Sequence, residues 1–418
     1  MIQHKPTSVI VIGGGIIGLA TSHYLRRAGF DVTVVEKGDF AAACSGGNCG
    51  YICPSHVLPL TEPGAIRIAI KSMLQPNAPF RVKPRADPAL MKWMLQFARR
   101  CTHKQMLAAG VHLKAILDSS MDEYRKLMDA ESLQCEWQES GLTYVLRSER
   151  AMESFAKTDA LLTKHFGVAA DRIDGHHLPA FDPALRSDLA GAFHYPCDAM
   201  LRPDRLSEQW TQRLRTAGVA LVSNCEVAEV RHAGDRIDAL VTSQGEMSAT
   251  HYVLAVGAWS GPLAKQIGLR LPIEPGKGYS VTMVRPEPCP VHPMLFPEHK
   301  VGVTPFADGY RLGSMMEFAG FDETIPERRI TQLKRSAEPY LRSPHTESET
   351  ARWYGWRPMT WDSLPIIGPA PNLSNVTVAT GHNMLGMSLA TGTGKLVAEM
   401  LSGDDPHLDV SAFSPSRF

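Results

Sequence analysis

The chain has 418 residues, too many for one ordinary domain and suited to two, or to one domain interrupted by another. Its 43 Lys and Arg residues balance 43 Asp and Glu residues, so no net field draws nucleic acid or an anionic membrane as the main partner. Eight cysteines over this length make no disulfide framework, and a reduced, intracellular setting is the default expectation.

Met1 to Ser8 is polar, and the apolar stretch after it is a strand-helix unit rather than a leader or a membrane span. Val9-Ile10-Val11-Ile12 reads as a strand, Gly13-Gly14-Gly15-Ile16-Ile17-Gly18 as a turn into a helix reaching Leu25, and Val32 to Val35 as a second strand ending in Glu36. Each part has a job around a dinucleotide. Gly13 permits the tight turn, Gly15 lets the backbone approach a pyrophosphate, and Gly18 lets the helix pack on the strand. The helix N-terminus favours phosphate charge. Glu36 can accept hydrogen bonds from ribose hydroxyls and repels a 2'-phosphate, which argues against NADP. The unit by itself leaves FAD and NAD open.

Ala41 to Pro54 is a small, glycine-rich loop whose backbone, with Ser45 and Asn48, can come close to a ligand. Cys44, Cys49 and Cys53 within it lack CxxC spacing and a fourth ligand, so we expect small buried side chains and no metal. Thr61 to Ser140 is mostly helical. Its apolar stretch Pro88 to Phe97 reads as a helix packed on its own core, with peripheral membrane docking as the alternative. Leu142 to Leu146 reads as a strand, and Asp204 as the cap of a helix from Arg205 to Ala217 stopped by Gly218.

Strands are expected at Ala220 to Val222, Glu226 to Val230, Ile237 to Val241 and His251 to Val256. More follow at Tyr279 to Val284, Val301 to Pro305 and Tyr310 to Met315, then a helix from Arg328 to Leu341. The chain finishes with strand Val376 to Thr380, the turn Gly381 to Met387 and a helix to Met400. That last helix start can aim its positive end at a flavin pyrimidine ring, where negative charge gathers on reduction. Strand-helix units at both ends, with strand-rich material between, suggest a nucleotide domain built from distant segments.

Taken together, Val11 to Gly18, Asn48 to Pro54, Pro275-Gly276-Lys277-Gly278-Tyr279-Ser280, Gly355-Trp356-Arg357-Pro358-Met359-Thr360, Leu364 to Gly368 and Gly381 to Gly386 resemble a known family end to end. They are similar to the FAD-dependent amine and amino-acid oxidoreductases of the D-amino acid oxidase and glycine oxidase superfamily, and within it to the bacterial D-amino acid dehydrogenases.

The resemblance implies an α/β fold: a Rossmann-like FAD-binding domain from residues 1–55, 195–265 and 350–418, with an inserted α+β substrate domain from 56–194 and 266–349. It implies that Arg357 holds a substrate carboxylate through a bidentate fork, with Tyr279 and His382 beside it. It places the cofactor along Gly13, Gly15, Ile16, Ile17, Gly18, Glu36, Lys37, Cys44, Ser45, Asn48, Gly50, Tyr51, Ile52, Val227, Gly257, Met384, Leu385, Gly386 and Met387. Met384 stands where glycine oxidases carry an arginine, which makes the pocket more apolar. No cysteine lies between Arg357 and Gly368, where sarcosine oxidases tether their flavin, so FAD is expected to be non-covalent.

The implied activity is oxidative deamination of D-amino acids to 2-oxo acids, with electrons passed to a quinone or other non-oxygen acceptor. Dehydrogenation or oxidation of D-proline and cis-4-hydroxy-D-proline, or a glycine/sarcosine-type amine oxidation, are the alternatives within the family. A module acting on modified RNA is disfavoured by the absence of a basic cluster, and an electron-transferring subunit is a further reading. The implied setting is cytoplasmic, with peripheral contact on the cytoplasmic face of the inner membrane.

Overall fold

The computed structural model describes residues 7–40, 42–73, 78–83 and 85–418, the Met73 side chain excepted. Ala41, at the start of the predicted loop, and most of the polar beginning lie outside them. Ser8–Ile12 forms the centre of a six-stranded sheet, paired in parallel with Asp31–Val35 on one side and His251–Leu254 on the other. Ala220–Val222 extends one edge, and Val376–Thr380 followed by Ile366–Pro369 extends the other. Within this sheet only the last pair is antiparallel among the described strands. These strands are apolar on both faces because helices cover one face and the three-stranded sheet of Val227–Ala233, Arg236–Thr242 and Gly245–Met247, with helix Ser260–Gln266, covers the other.

The helix Ile16–Arg27 packs against the C-terminal helix Gly386–Ser402, and glycine sets how closely. A β-carbon at Gly394 would lie 2.7 Å from the Ala20 backbone. The long helix His103–Glu131 covers the same core through Leu113, Ile116 and Leu117, which meets Leu19, Leu396 and Val397. No helix among the described residues is long and apolar enough to cross a membrane.

A second sheet of nine strands runs, edge to edge, from Glu349–Met359 through Glu274–Met283, Tyr310–Phe318, Val301–Pro305, Met294–Phe296, Leu142–Leu146 and Gly191–Tyr195 to Asp171–Asp174, with Phe80–Val82 added beside Tyr310–Phe318. The glycine-rich loop is pinned to this sheet by its carbonyls. Arg311 Nη1 donates to Gly46 O and Asn48 O at 3.1 and 2.7 Å, Thr304 Oγ1 to Cys49 O at 2.7 Å, and Ser280 Oγ to Gly47 O at 2.9 Å. A loop of low charge is thus held between two sheets rather than left in solvent.

Several predicted elements shift. Asp204 does not cap its helix: the helix is Pro203–Thr216 with Arg202 at the N-cap. Proline suits a first helical position, and Asp204 in the first turn accepts from Arg202 Nε at 3.1 Å instead. The strand expected from Tyr279 begins at Glu274, since Pro275, Gly276 and Gly278 pair with Pro358, Arg357 and Gly355 and do not form a turn. The strand expected over Glu226 to Val230 is Val227–Ala233, the one expected to Met315 continues to Phe318, and His251–Leu254 stops two residues early. The helix around Arg328 to Leu341 is Glu327–Ala337. In helix Pro88–Arg100, Leu90 and Trp93 are buried as expected of a core-packed face, whereas Met91 and Leu95 are 70% and 51% exposed.

Candidate functional site

A cavity of about 1390 Å³ is lined from both sheets. Most residues singled out in the sequence meet on its wall: Gly13, Gly15, Ile16 and Ile17; Glu36 and Lys37; Cys44, Ser45, Asn48 and Tyr51; Val227; Gly257; Met384, Leu385, Gly386 and Met387; and Tyr279, Arg357 and His382. Gly18, Gly50 and Ile52 do not line it. They are packing positions: a β-carbon at Gly18 would lie 1.9 Å from Gly13 O, one at Gly50 would lie 1.9 Å from Leu201 O, and Ile52 is in the core.

The first glycine turn separates internal sterics from ligand space. Gly13 has φ +106° and its β-carbon would strike Ala255 O at 2.5 Å, so the protein itself demands glycine. Gly15 has ordinary φ, and its β-carbon would meet no protein atom nearer than Ser45 Oγ at 3.6 Å. The Ile16 N–H donates to Ser45 Oγ at 3.1 Å, so the loop closes on the helix start. Glu36 Oε2 accepts from the Gly14 N–H at 2.7 Å and Oε1 from the Gly38 N–H at 3.0 Å, fixing the carboxylate at the end of its strand. Each oxygen keeps a further lone pair.

Arg357 sits near the C-terminal end of strand Glu349–Met359 and reaches across the sheet, where Nη1 donates to Met315 O at 2.7 Å. Gly278 makes that path: a β-carbon there would lie 2.3 Å from Arg357 Nη1. Burial pulls Arg357 below its ordinary pKa. Burial also holds the Cys44 and Cys49 thiols protonated, Cys44 up to about 11. Among the described residues Arg357 has no carboxylate partner, so a half-buried cation faces the cavity with most of its donors uncommitted. Such a charge is costly unless an anion joins it.

Tyr279 and His382 are committed to protein partners. Tyr279 Oη donates to Glu317 Oε2 at 2.7 Å, and Arg329 Nη2 donates to Glu317 Oε1 at 3.1 Å. Burial and Glu317 hold the phenol well above its ordinary range. His382 Nε2 lies 2.9 Å from Thr393 Oγ1, and burial pushes the imidazole down to about 3, leaving it neutral. Neither is placed as a ready proton carrier. The start of helix Gly386–Ser402 also faces the cavity, bringing its partial positive charge there.

Residues 8–400 match the family described as FAD dependent oxidoreductase. The chain belongs to this family. It is 30% identical to the D-amino acid dehydrogenase of Bradyrhizobium diazoefficiens over 416 residues, covering 98% of each chain. It is 31% identical to the D-amino acid dehydrogenase of Vibrio atlanticus, over 98% of this chain and 99% of that one. Glycine oxidase from Geobacillus kaustophilus shares the fold, with a TM-score of 0.77 at 22% identity over 99% of both chains.

The cavity of this FAD-dependent oxidoreductase fits its cofactor on several counts. The space beside Gly15 is empty of protein, Glu36 stands at the end of the second strand, and the buried Trp356 indole N–H lacks a protein partner among the described residues. Sequence reasoning missed the aromatic group on the same wall. Trp259 stacks on Phe321 with centroids 5.7 Å apart, both lie edge-on to Trp356, and Lys37 Nζ lies 3.8 Å from the Trp259 ring. It also missed His56 and Tyr144, which line the cavity 88 positions apart, 2.8 Å from Nε2 to Oη. No local pattern announces either pairing.

Proposed function

We propose that this chain oxidises D-amino acids, with Arg357 anchoring the carboxylate and the electrons passing to a quinone or another non-oxygen acceptor. Bound FAD supplies the hydride-accepting chemistry, and the resulting imino acid hydrolyses to a 2-oxo acid and ammonia. The observation that carries the reading is the half-buried, carboxylate-free guanidinium of Arg357 in the cavity wall. The names of full-length relatives in two bacteria agree with it.

The residues divide the labour. Arg357 offers a planar fork that fixes the acid's orientation, and the Met315 carbonyl limits its swing. The Tyr279–Glu317–Arg329 network stiffens the adjoining strands. Apolar walls, including Met384, Leu385 and Met387, exclude water and favour a neutral amine. Holding the substrate in one pose supplies much of the rate. With no cysteine between Arg357 and Gly368, FAD is bound non-covalently in this reading.

The acceptor and the membrane contact belong to the same proposal. Ile66, Ile68 and Ile70 on helix Ala65–Met73, with Met91 and Leu95 on Pro88–Arg100, expose apolar surface next to Arg67, Lys71, Lys92 and Arg99. The isoleucines and Leu95 border the cavity. Apolar side chains flanked by basic ones suit the headgroup boundary of an anionic membrane, from which a quinone would enter.

The test is a rate panel on D-alanine, D-proline, cis-4-hydroxy-D-proline and their L-enantiomers, with a soluble quinone or oxygen as acceptor. Turnover of D-substrates with quinone supports the proposal. Rapid peroxide release would defeat the dehydrogenase reading, and preference for L-substrates would defeat the substrate class.

A further inference from the structure

Strand Glu274–Met283 lies between Glu349–Met359 and Tyr310–Phe318, and Gly276 and Gly278 leave one face of it bare at two successive positions. Each bare site is roofed by a different chemistry. A β-carbon at Gly278 would lie 2.3 Å from Arg357 Nη1, whereas one at Gly276 would lie 2.5 Å from Met316 Sδ and 2.8 and 3.3 Å from Met359 Cγ and Sδ. Neither glycine lines the cavity, but Arg357, Met316 and Met359 do. The wall is therefore one trough with a cationic end and a thioether end, about 7 Å apart along the strand.

A β-bulge in the neighbouring strand shapes the thioether end. Lys277 faces Glu317 and Tyr279 faces Ser314, so Met315 and Met316 together oppose Gly278. Met315 takes φ +73°, and both methionines line the cavity although consecutive strand residues ordinarily point to opposite faces. Apolar side chains back the pair. Met359 packs with Trp93 and Phe318, Met316 packs against this cluster, and the Trp93 and Phe318 rings, 5.5 Å apart, both reach the cavity. The Trp93 indole N–H donates to Pro272 O at 3.0 Å, so this end presents hydrocarbon and sulfur rather than free donors.

We propose that Met316 and Met359, backed by Trp93 and Phe318, form the side-chain subsite of this enzyme and select D-amino acids with long apolar side chains, linear or aromatic, over D-alanine. The inference rests on the carboxylate-anchoring role proposed for Arg357. With the carboxylate on that fork, the substrate side chain runs along the trough toward the thioethers, which an extended four-carbon chain reaches and a methyl group does not. Each methylene withdrawn from water there strengthens binding about fourfold. Methionine's unbranched, polarisable chain re-packs around different shapes and makes favourable sulfur contacts with aromatic rings, so linear and aromatic occupants are both admitted. A carboxylate or ammonium on the side chain would lose its water and gain no partner from these four residues.

The test is anaerobic reduction of the FAD-loaded enzyme by D-alanine, D-norleucine, D-phenylalanine and D-glutamate, in the parent, Met316→Ala and Met316→Leu. No acceptor is present, so a quinone in the same apolar branch cannot affect the result. In the parent, the second-order rate constant of flavin reduction should be at least about tenfold higher for D-norleucine than for D-alanine, with D-phenylalanine close to D-norleucine and D-glutamate below D-alanine. Met316→Ala should cut the norleucine-to-alanine ratio about tenfold, and Met316→Leu should restore it to within about threefold. General damage to the fold would slow both substrates alike, which separates it from a lost subsite. A parent that is reduced equally well by D-alanine and D-norleucine overturns the subsite, whether or not Met316→Ala folds, and so does an unchanged ratio in folded Met316→Ala; both leave the proposed function standing. A parent flavin that no D-amino acid reduces overturns the proposed function together with the subsite.

Discussion

Gly278 lies under the guanidinium of Arg357, so closely that a β-carbon at position 278 would sit 2.3 Å from Nη1 and 2.6 Å from Cζ. Two motifs nearly 80 positions apart are therefore one device: the glycine strand is the floor on which the arginine lies. Gly278→Ala should leave a folded, FAD-binding protein and raise KM about 10- to 100-fold, as expected when about 1–3 kcal/mol of overpacking displaces the anchor. Substrate titration alongside FAD content checks this; an unchanged KM would separate the two motifs.

Gly15 and Gly18 should fail in opposite ways. Gly15→Ala meets no protein atom closer than 3.6 Å, so ligand-free stability should stay within about 0.5 kcal/mol while FAD affinity falls at least about tenfold. Gly18→Ala places its β-carbon 1.9 Å from Gly13 O, so thermal stability should fall before any ligand is added. Thermal unfolding of the apoprotein and FAD titration of both variants tell the roles apart.

The buried histidines set an acid limit on stability. Burial lowers His382 to about 3 and His23 and His251 to about 4, against an ordinary value of 6.5. Below 6.5 the unfolded chain binds protons that the native state refuses, so stability is complete above that value and is lost as pH falls toward 3. The unfolding temperature should therefore drop between pH 7 and pH 4 even in high salt. His382→Gln, which retains an amide to meet Thr393, should flatten part of that slope. An unchanged slope would show that His382 does not contribute to it.

What the sequence disclosed, and what it hid, follows from the range of each interaction. The unit from Val9 to Glu36 was legible because every requirement is local: apolar strand, glycine at the turn, helix, acid. The turn at Gly381 to Met387 was legible for the same reason. Glu274 to Gly278 was hidden because proline and glycine imply a turn, whereas here glycine leaves room for a side chain from another strand. Asp204 misled because a capping residue and a first-turn acid look alike until the place of Pro203 is known. His56 with Tyr144, and Trp259 with Phe321 and Trp356, belong to elements that only the folded sheets bring together.

Helix Pro88–Arg100 carries a separate prediction. Met91 is 70% exposed and does not line the cavity. Met91→Glu should weaken sedimentation with anionic phospholipid vesicles several-fold, since one charge at the interface costs about 1 kcal/mol or more. Anaerobic reduction by substrate should be unaffected. Equal vesicle binding by parent and variant would remove this face from the membrane proposal.

The central claim is that Arg357 holds the carboxylate of a D-amino acid beside the flavin. The direct measurement is anaerobic bleaching of the flavin's visible band by increasing D-amino acid, in the parent enzyme and in Arg357→Lys. Lysine keeps the charge and loses the fork, so the half-saturating concentration should rise about 10- to 100-fold, corresponding to about 1.5–3 kcal/mol of charged hydrogen bonding. Half-saturation at the parent concentration in Arg357→Lys would contradict the account.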